Sequence, residues 1–539
     1  MSFLSSPLPL TLSPRDALDC NFSPTQYTGD DGLHLLHSAI AIGASYDSAE
    51  RYPPPRCHPQ TRKVVFEIIL AWTNNAQHGP RVLWVNGDAG SGKSAISQTV
   101  AEYCAQSGQL GATFFFSHGK GDLSDGRLLF PTIAYKLASS LPALRAPLSH
   151  AIHSNPSILS DCLEVQVQKL IVEPFSNICH PSVPTLIVID NLDACEGAEM
   201  QHLILTLVAQ ILVVHRLPLC FFITSRVPSH LQITFDAPIF CKLANRISLE
   251  NFISDTDVKV FLRAEFANIR QYHQHIQDIP ARWPAADVID LLVQKSGGQF
   301  LYPATVLKYV DDPNGDPAER LTDVVVAAMS PKPSSLTPTD QLYHHVLSTC
   351  PDPTALLRVL GPLAVTYSAL PTTELEKILG LTPGDADTRL RDIHALVDVP
   401  MPSAMSPPHT LRIPQQSTKE FLVDIHRSFM FRIETGKYHA EMARGCIRFI
   451  GEMDSVEDID LASYQYVRRK WTRHLSQAMP APDLLQDLCE LRFVYSRLPS
   501  EVREVVAWLK SLPIPPPDVL DVWQTWQVQL HAQTVYCIP

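Results

Sequence analysis

The segment Gly87-Asp88-Ala89-Gly90-Ser91-Gly92-Lys93-Ser94 constrains this chain more than any other. Its spacing is GxxxxGK[ST], and it falls between a short apolar run, Val82 to Val85, and a helix expected from Ser94 to Ala105. Three glycines let the backbone curl with its N–H groups pointing inward. The following helix adds the positive end of its dipole, so the loop suits phosphate oxygens. On this reading Gly87 to Ser94 cradle a nucleotide, Lys93 reaches its β- and γ-phosphates, and the Ser94 hydroxyl ligates Mg²⁺.

Such a loop needs a carboxylate on a nearby strand to hold the metal. Leu186-Ile187-Val188-Ile189-Asp190 supplies one: four aliphatics ending in an acid put Asp190 at the carboxyl edge of a sheet, where open α/β folds bind ligands. The alternative is that Asp190 caps the next helix. Asp193, three residues on, is the candidate for polarising an attacking water. A third apolar run, Cys220 to Ile223, leads into Thr224-Ser225-Arg226, which places Arg226 as a γ-phosphate sensor or, failing that, as a surface arginine.

Between these motifs strands alternate with helices. Thr113 to Phe116 reads as a further strand; Thr61 to Asn74, Phe130 to Ser139 and Met200 to Val214 read as helices. Near-continuous apolar strands imply a parallel sheet covered on both faces. Beyond about residue 246 strand signals thin out and the chain reads as mainly helical, with Pro-rich breaks near 331–338, 400–408 and 513–517. The 45 prolines against 22 glycines reverse the usual ~5% and ~7% proportions, which argues for many stiff joints rather than one long helix.

Composition removes several classes. A net charge of −12 gives no general attraction to nucleic acid or anionic lipid. The 12 cysteines are scattered without CxxC or zinc-type spacing and read as reduced thiols of an intracellular, cytoplasmic protein. The N-terminus is a poor signal peptide, and the most apolar stretch, Leu203 to Val214, falls well short of the ~20 residues that span a bilayer.

Several strings then carry a resemblance: Asp47-Ser48-Ala49-Glu50-Arg51, Pro53-Pro54-Pro55, Cys57-His58-Pro59 and Thr61-Arg62, the loop itself, FPTIAYKLA, IVIDNLDAC, FITSRVPSHL, SGGQFLYPATVLKYV, DQLYHHVL, LLRVLGPLAV and SYQYVRRKWTRHL. Over about residues 40 to 480 the chain resembles the NACHT-type nucleoside triphosphatases of mushroom-forming fungi. These have a nephrocystin-3-like N-terminal domain and belong to the STAND signal-transduction ATPases related to NOD-like receptors. The resemblance implies a three-part switch, closed with ADP and opened for oligomerisation by ATP. The expected fold is an α/β P-loop NTPase domain followed by mainly α-helical domains including a winged helix. The expected boundaries are a Pro-containing arm at 1–55, the NTPase domain at 56–245, a small helical domain at 246–335, the winged helix at 336–430 and a repeat-free helical region at 431–539.

Three departures from the family pattern stand out. Ala194 occupies the usual glutamate position after Asp193, which leaves nucleotide and Mg²⁺ binding intact but puts hydrolysis in doubt. Gln415 replaces a histidine that, by the resemblance, closes on the ADP β-phosphate; an amide donates a hydrogen bond but carries no charge. Val227-Pro228 stands where Pro-Glu is usual.

The remaining constellations are bland. His273/His275 and His344/His345 do not share a helix face suited to a metal. Arg468-Arg469-Lys470 with Arg473 reads as a paired, solvated helix face, and Trp508, Trp523 and Trp526 read as packing anchors. The expectation is therefore a nucleotide-gated switch using ATP or ADP (GTP remains open) with Mg²⁺, a weak NTPase at most, with a second copy or a protein effector as partner. The alternatives are a non-switching nucleotide-bound scaffold and, against the missing motifs, a P-loop kinase or helicase.

Overall fold

The computed structural model describes residues 31–119, 121–178, 183–273, 282–330, 335–368, 370–399, 410–452, 461–491 and 499–536. Five strands form one parallel sheet in the order β2-β3-β4-β1-β5. They are β1 Val82–Asn86, β2 Leu110–Phe115, β3 Thr185–Asp190, β4 Leu219–Ser225 and β5 Ala244–Ser248. This order seats the loop after β1 beside the end of β4 and one strand from the end of β3.

Strand side chains alternate between two cores. Val82, Trp84, Phe114, Ile187, Ile189, Phe221 and Ile223 point to one face, covered by the helices Leu129–Ser140 and Ala198–Ala209. Leu83, Val85, Leu186, Val188, Cys220 and Phe222 point to the other, covered by Lys63–Asn75 and Lys93–Gln106. Burial on both faces explains why the strands read as unbroken apolar runs. The helix expected to Val214 is α-helical to Ala209 and closes in a π-helical turn, Gln210–Val214.

Two features differ from the sequence reading. β5, Ala-Asn-Arg-Ile-Ser, is an edge strand with exposed Asn245 and Arg246, so no apolar run announces it. The segment before Pro53, expected as an arm with one short helix from Leu33 to Ile42, does carry a helix, Asp31–His37, but packs as part of the domain, contributing Leu36, Ile40, Ala41 and Ala44 to the sheet core. Residues 1–30 lie outside the described residues.

The helical part shares one apolar cluster running from Val258 to Trp523. Its helices use several of the prolines as starts. Pro317, Pro338 and Pro353 occupy first turns behind the side-chain caps Asp316, Thr337 and Asp352, where a missing N–H costs nothing. A two-stranded antiparallel pair, Leu370–Pro371 with Thr410–Leu411, sits among the helices Pro353–Val365, Thr372–Leu379 and Gln416–Val423. The expected Pro-rich breaks fall partly at 331–334 and 400–409, outside the described residues; the third separates the helices Pro499–Ser511 and Pro517–Tyr536. Trp523 is fully buried, its indole donating to the Leu488 carbonyl at 3.2 Å, and Trp508 is nearly so. No described helix is long and apolar enough to cross a membrane.

Candidate functional site

The loop after β1 turns through two left-handed glycines, Gly90 (φ +81°) and Gly92 (φ +94°), the latter directly before the helix Lys93–Gln106. Gly90 is needed twice over. Its φ strains any L side chain, and a Cβ there would stand 2.6 Å from the Leu301 Cβ. Leu301 begins the helix Leu301–Val310, so the helical region rests directly on the loop. Arg62 braces it from the other side: its guanidinium donates to the Ser91 carbonyl at 3.0 Å and to the Phe252 carbonyl at 2.6 Å, while its backbone N–H donates to Asp257.

Lys93 is buried, its ammonium donating to the loop carbonyls of Gly87 (2.6 Å) and Asp88 (2.8 Å). Burial pulls its pKa below the ordinary lysine value, and the charges of Asp193 and Asp190 oppose that pull. The Ser91 hydroxyl is buried without a hydrogen-bond partner. A desolvated ammonium, an unpartnered hydroxyl and a side-chain-free glycine cradle together fit a polyphosphate.

Asp190 ends β3 with 2% exposure. Its carboxylate accepts from the hydroxyls of Ser94 (2.7 Å), Ser97 (2.6 Å) and Thr224 (2.7 Å), which rules out a simple capping role. Ser94 and Asp190 in direct contact are the pair through which Mg²⁺ would be held, the serine directly and the acid through water. Thr224 is one residue short of the β4 end, so the adjacent β3–β4 register builds this cluster.

Asp193 follows β3 in a one-turn helix, and both of its oxygens are engaged. Oδ1 accepts from the Arg226 backbone N–H at 2.9 Å; Oδ2 faces the Arg226 Nε at 3.5 Å and the His118 Nε2 at 3.7 Å. Burial raises its pKa, but His118 and Arg226 together outweigh burial and hold the carboxyl below the usual aspartate value. Such a carboxylate is a weak base. Ala194 beside it is buried at 2% exposure and supplies no carboxylate.

Arg226 leaves the end of β4 and spans two parts of the molecule. Besides Asp193, its Nη2 donates at 2.6 Å to Glu420 on the helix Gln416–Val423. Gln415, expected at the nucleotide, stands just before that helix with its amide oxygen accepting from the Tyr343 hydroxyl at 3.2 Å. Thus the structure brings Lys93, Ser94, Asp190, Asp193 and Arg226 together, and hydrogen-bonds Gln415 to Tyr343 rather than to the loop.

Glu420, His118, Ser97 and Arg62 escaped the sequence reading as site residues. Each depends on a contact between distant segments; Arg62, Ser97 and Glu420 lay within segments that carry the resemblance but had no role assigned there. The basic cluster is paired, but across the molecule: Lys470 with Asp122 and Arg473 with Glu196, both acids belonging to the sheet domain. No group of acidic, histidine or cysteine side chains among the described residues is arranged to hold a metal by itself.

A parallel sheet of this order, with a glycine-wound loop and lysine after β1 and an aspartate closing β3, defines a P-loop NTPase-type domain. More particularly, residues 65–226 match the family model "Nephrocystin 3, N-terminal", an interval that contains the loop, Asp190 and Arg226. No curated protein sequence matches the chain. Among solved structures, a Pyrococcus horikoshii STAND protein with a tetratricopeptide repeat sensor aligns at 11% identity and TM-score 0.46, over 87% of this chain and 58% of its own length. The Aeropyrum pernix ORC1 protein, solved with DNA, aligns at 12% identity and TM-score 0.30, over 68% of this chain and 92% of that one. At these scores neither likeness bears on activity.

Proposed function

We propose that this protein is a nucleotide-gated switch of NACHT/STAND type, which binds ATP or ADP with Mg²⁺, hydrolyses slowly if at all, and opens or oligomerises on exchange. The observation that carries the reading is Arg226, shared between Asp193 beside the loop and Glu420 on a helix nearly two hundred residues downstream. A γ-phosphate competes with Glu420 for that guanidinium, so the nucleotide's third phosphate is converted into a change in how the helix is held. Gly87, Asp88, Ala89, Gly90, Ser91, Gly92, Lys93 and Ser94 serve as the cradle, and Ser94 with Asp190 as the metal site. Asp193 orients Arg226 more than it activates water, which agrees with slow turnover. On this proposal residues 246–335 form the small helical domain and 336–430 the winged helix, with Gln415 giving a weaker hold on ADP than a histidine would. The partner is a second copy or a protein effector, and the compartment is the cytoplasm.

The test is to identify the copurifying nucleotide and then measure mass and hydrogen exchange with Mg·ADP and with a non-hydrolysable Mg·ATP analogue. Retained nucleotide, lost in Lys93→Ala, together with greater exchange in Gln416–Val423 under the triphosphate, is the expected result. Ala194 and Gln415 favour a second reading, a nucleotide-bound scaffold that does not switch; identical exchange with both nucleotides selects it. Nucleotide-free protein with no measurable affinity overturns both.

A further inference from the structure

Arg51 ends the Asp47–Arg51 string that carries the resemblance, yet it has no role in the site described above. It ends the one-turn helix Ala49–Arg51, and its guanidinium carbon stands 3.6 Å from the centroid of the Phe115 ring. Phe115 is the residue of β2 paired in register with Asp190 of β3. The Arg51 Nη2 donates at 3.2 Å to the amide oxygen of Gln98, a side chain with 1% exposure. Gln98 lies four residues after Ser94 on the helix following the loop, and therefore on the same face about one turn away. A positive charge thus sits beside the metal-holding pair, on the flank opposite Arg226, since β2 and β4 lie on either side of β3.

Its pairing is incomplete. Among the described residues Arg51 forms no ion pair, and its Nε is buried without a hydrogen-bond partner. The neutral Gln98 amide and the Phe115 face are its direct contacts; burial lowers its pKa to about 10, Asp190 opposes that shift and the nearby Arg412 charge adds to it. A guanidinium desolvated this far, with no carboxylate in ion-pairing contact, is a cation placed for an anion that the protein itself does not supply there. Mg²⁺ at Ser94 and Asp190 would repel it. A triphosphate brings one more negative charge than a diphosphate and so restores the balance.

The chain position is held from the far side of the molecule. Arg412, next to the strand Thr410–Leu411, donates to the carbonyls of Glu50 (2.7 Å) and Tyr52 (2.9 Å), the two residues flanking Arg51. Asp398 accepts from Arg412 and from Lys308, and Lys308 lies on the helix whose first residue, Leu301, touches Gly90.

We propose that Arg51 is a second phosphate-contacting arginine, supplied by the segment ahead of β1 to the terminal phosphate of a nucleoside triphosphate seated on the loop, and that Arg412 is the residue that positions it. The inference rests on the nucleotide-binding reading above and deepens it. Arg51 discriminates triphosphate from diphosphate, and the Arg412–Asp398–Lys308 chain ties that discrimination to the helical region.

The experiment is calorimetric titration of the full chain, stripped of nucleotide, with Mg·ATPγS and Mg·ADP. Arg51→Gln is expected to weaken ATPγS roughly tenfold to a hundredfold while ADP changes by less than about threefold; Arg51→Lys recovers part of the loss. Arg412→Gln shifts the same ratio in the same direction, by less. Equal weakening of both nucleotides, which a merely structural brace would produce, overturns the proposal, as does an unchanged ratio in Arg51→Gln. Wild-type protein that binds neither nucleotide overturns the nucleotide-binding reading and this one with it. Wild-type binding that Lys93→Ala abolishes, with Arg51→Gln unaffected, overturns only this one.

Discussion

Neutralising Glu420 tests the switch at its narrowest point. Glu420→Gln keeps the shape of the side chain and removes the charge that holds Arg226 Nη2 at 2.6 Å. Exposed ion pairs contribute about 0.2–1 kcal/mol, whereas hydrogen bonds to charged groups contribute about 1.5–3 kcal/mol. With side chains 31% and 32% exposed, this pair falls between those limits, at about 1–2 kcal/mol. If a γ-phosphate must take Arg226 from Glu420, that energy opposes triphosphate binding alone. The substitution should then tighten a non-hydrolysable Mg·ATP analogue by roughly fivefold to thirtyfold and leave Mg·ADP within about twofold. Fluorescent-nucleotide titration measures both affinities. Arg226→Ala should lower triphosphate affinity, and in that background Glu420→Gln should have no further effect, because the two side chains act through one contact. The competition argument is refuted if Glu420→Gln leaves the triphosphate-to-diphosphate ratio unchanged, or raises it equally with and without Arg226.

Three further outcomes follow from local geometry. Gly90→Ala adds a Cβ into Leu301 at a left-handed backbone position and should cost about 1–3 kcal/mol, read as a lowered unfolding midpoint in urea. Asp190→Asn leaves three hydroxyls facing an amide instead of a carboxylate. It should destabilise by about 2–4 kcal/mol and abolish the enhancement of nucleotide affinity by Mg²⁺, seen by titrating nucleotide with and without the metal. The third concerns pH. His439 and His474 share a hydrogen bond between the helices Thr435–Glu452 and Leu461–Gln477; burial lowers the pKa of His439 to about 4 and holds that of His474 well below the ordinary histidine value. Each binds its proton more readily when unfolded, so stability present above pH ~6.5 drains away as pH falls towards 4, by up to about 3 kcal/mol for His439. Chemical unfolding at pH 7.5 and pH 5 checks this; equal stability at both refutes it.

Legibility differed sharply between parts of the molecule. β1, β3 and β4 were readable because each is apolar along its whole length and both of its faces are buried. β5 was not, because an edge strand with Asn245 and Arg246 in the open carries no such pattern. Similarly, Lys93, Ser94 and Asp190 announced themselves by spacing within one strand–loop–helix unit and one strand end. Thr224 was visible only as part of a Thr-Ser-Arg string, and its role emerged from the register that sets β4 against β3.

The local order of the chain determined the phosphate loop, the acid that answers it and the parallel sheet that carries both, since each depends on neighbours a few residues apart and on the period of apolar side chains. Tertiary structure alone decided what those groups are joined to. Arg226 meets Glu420, Arg412 grips the backbone around Arg51, Leu301 rests on Gly90, and Arg473 reaches back to Glu196. Contacts between segments so far apart leave no periodicity in the sequence. They form only when the burial of the apolar cluster from Val258 to Trp523 fixes where the helical region lies against the sheet.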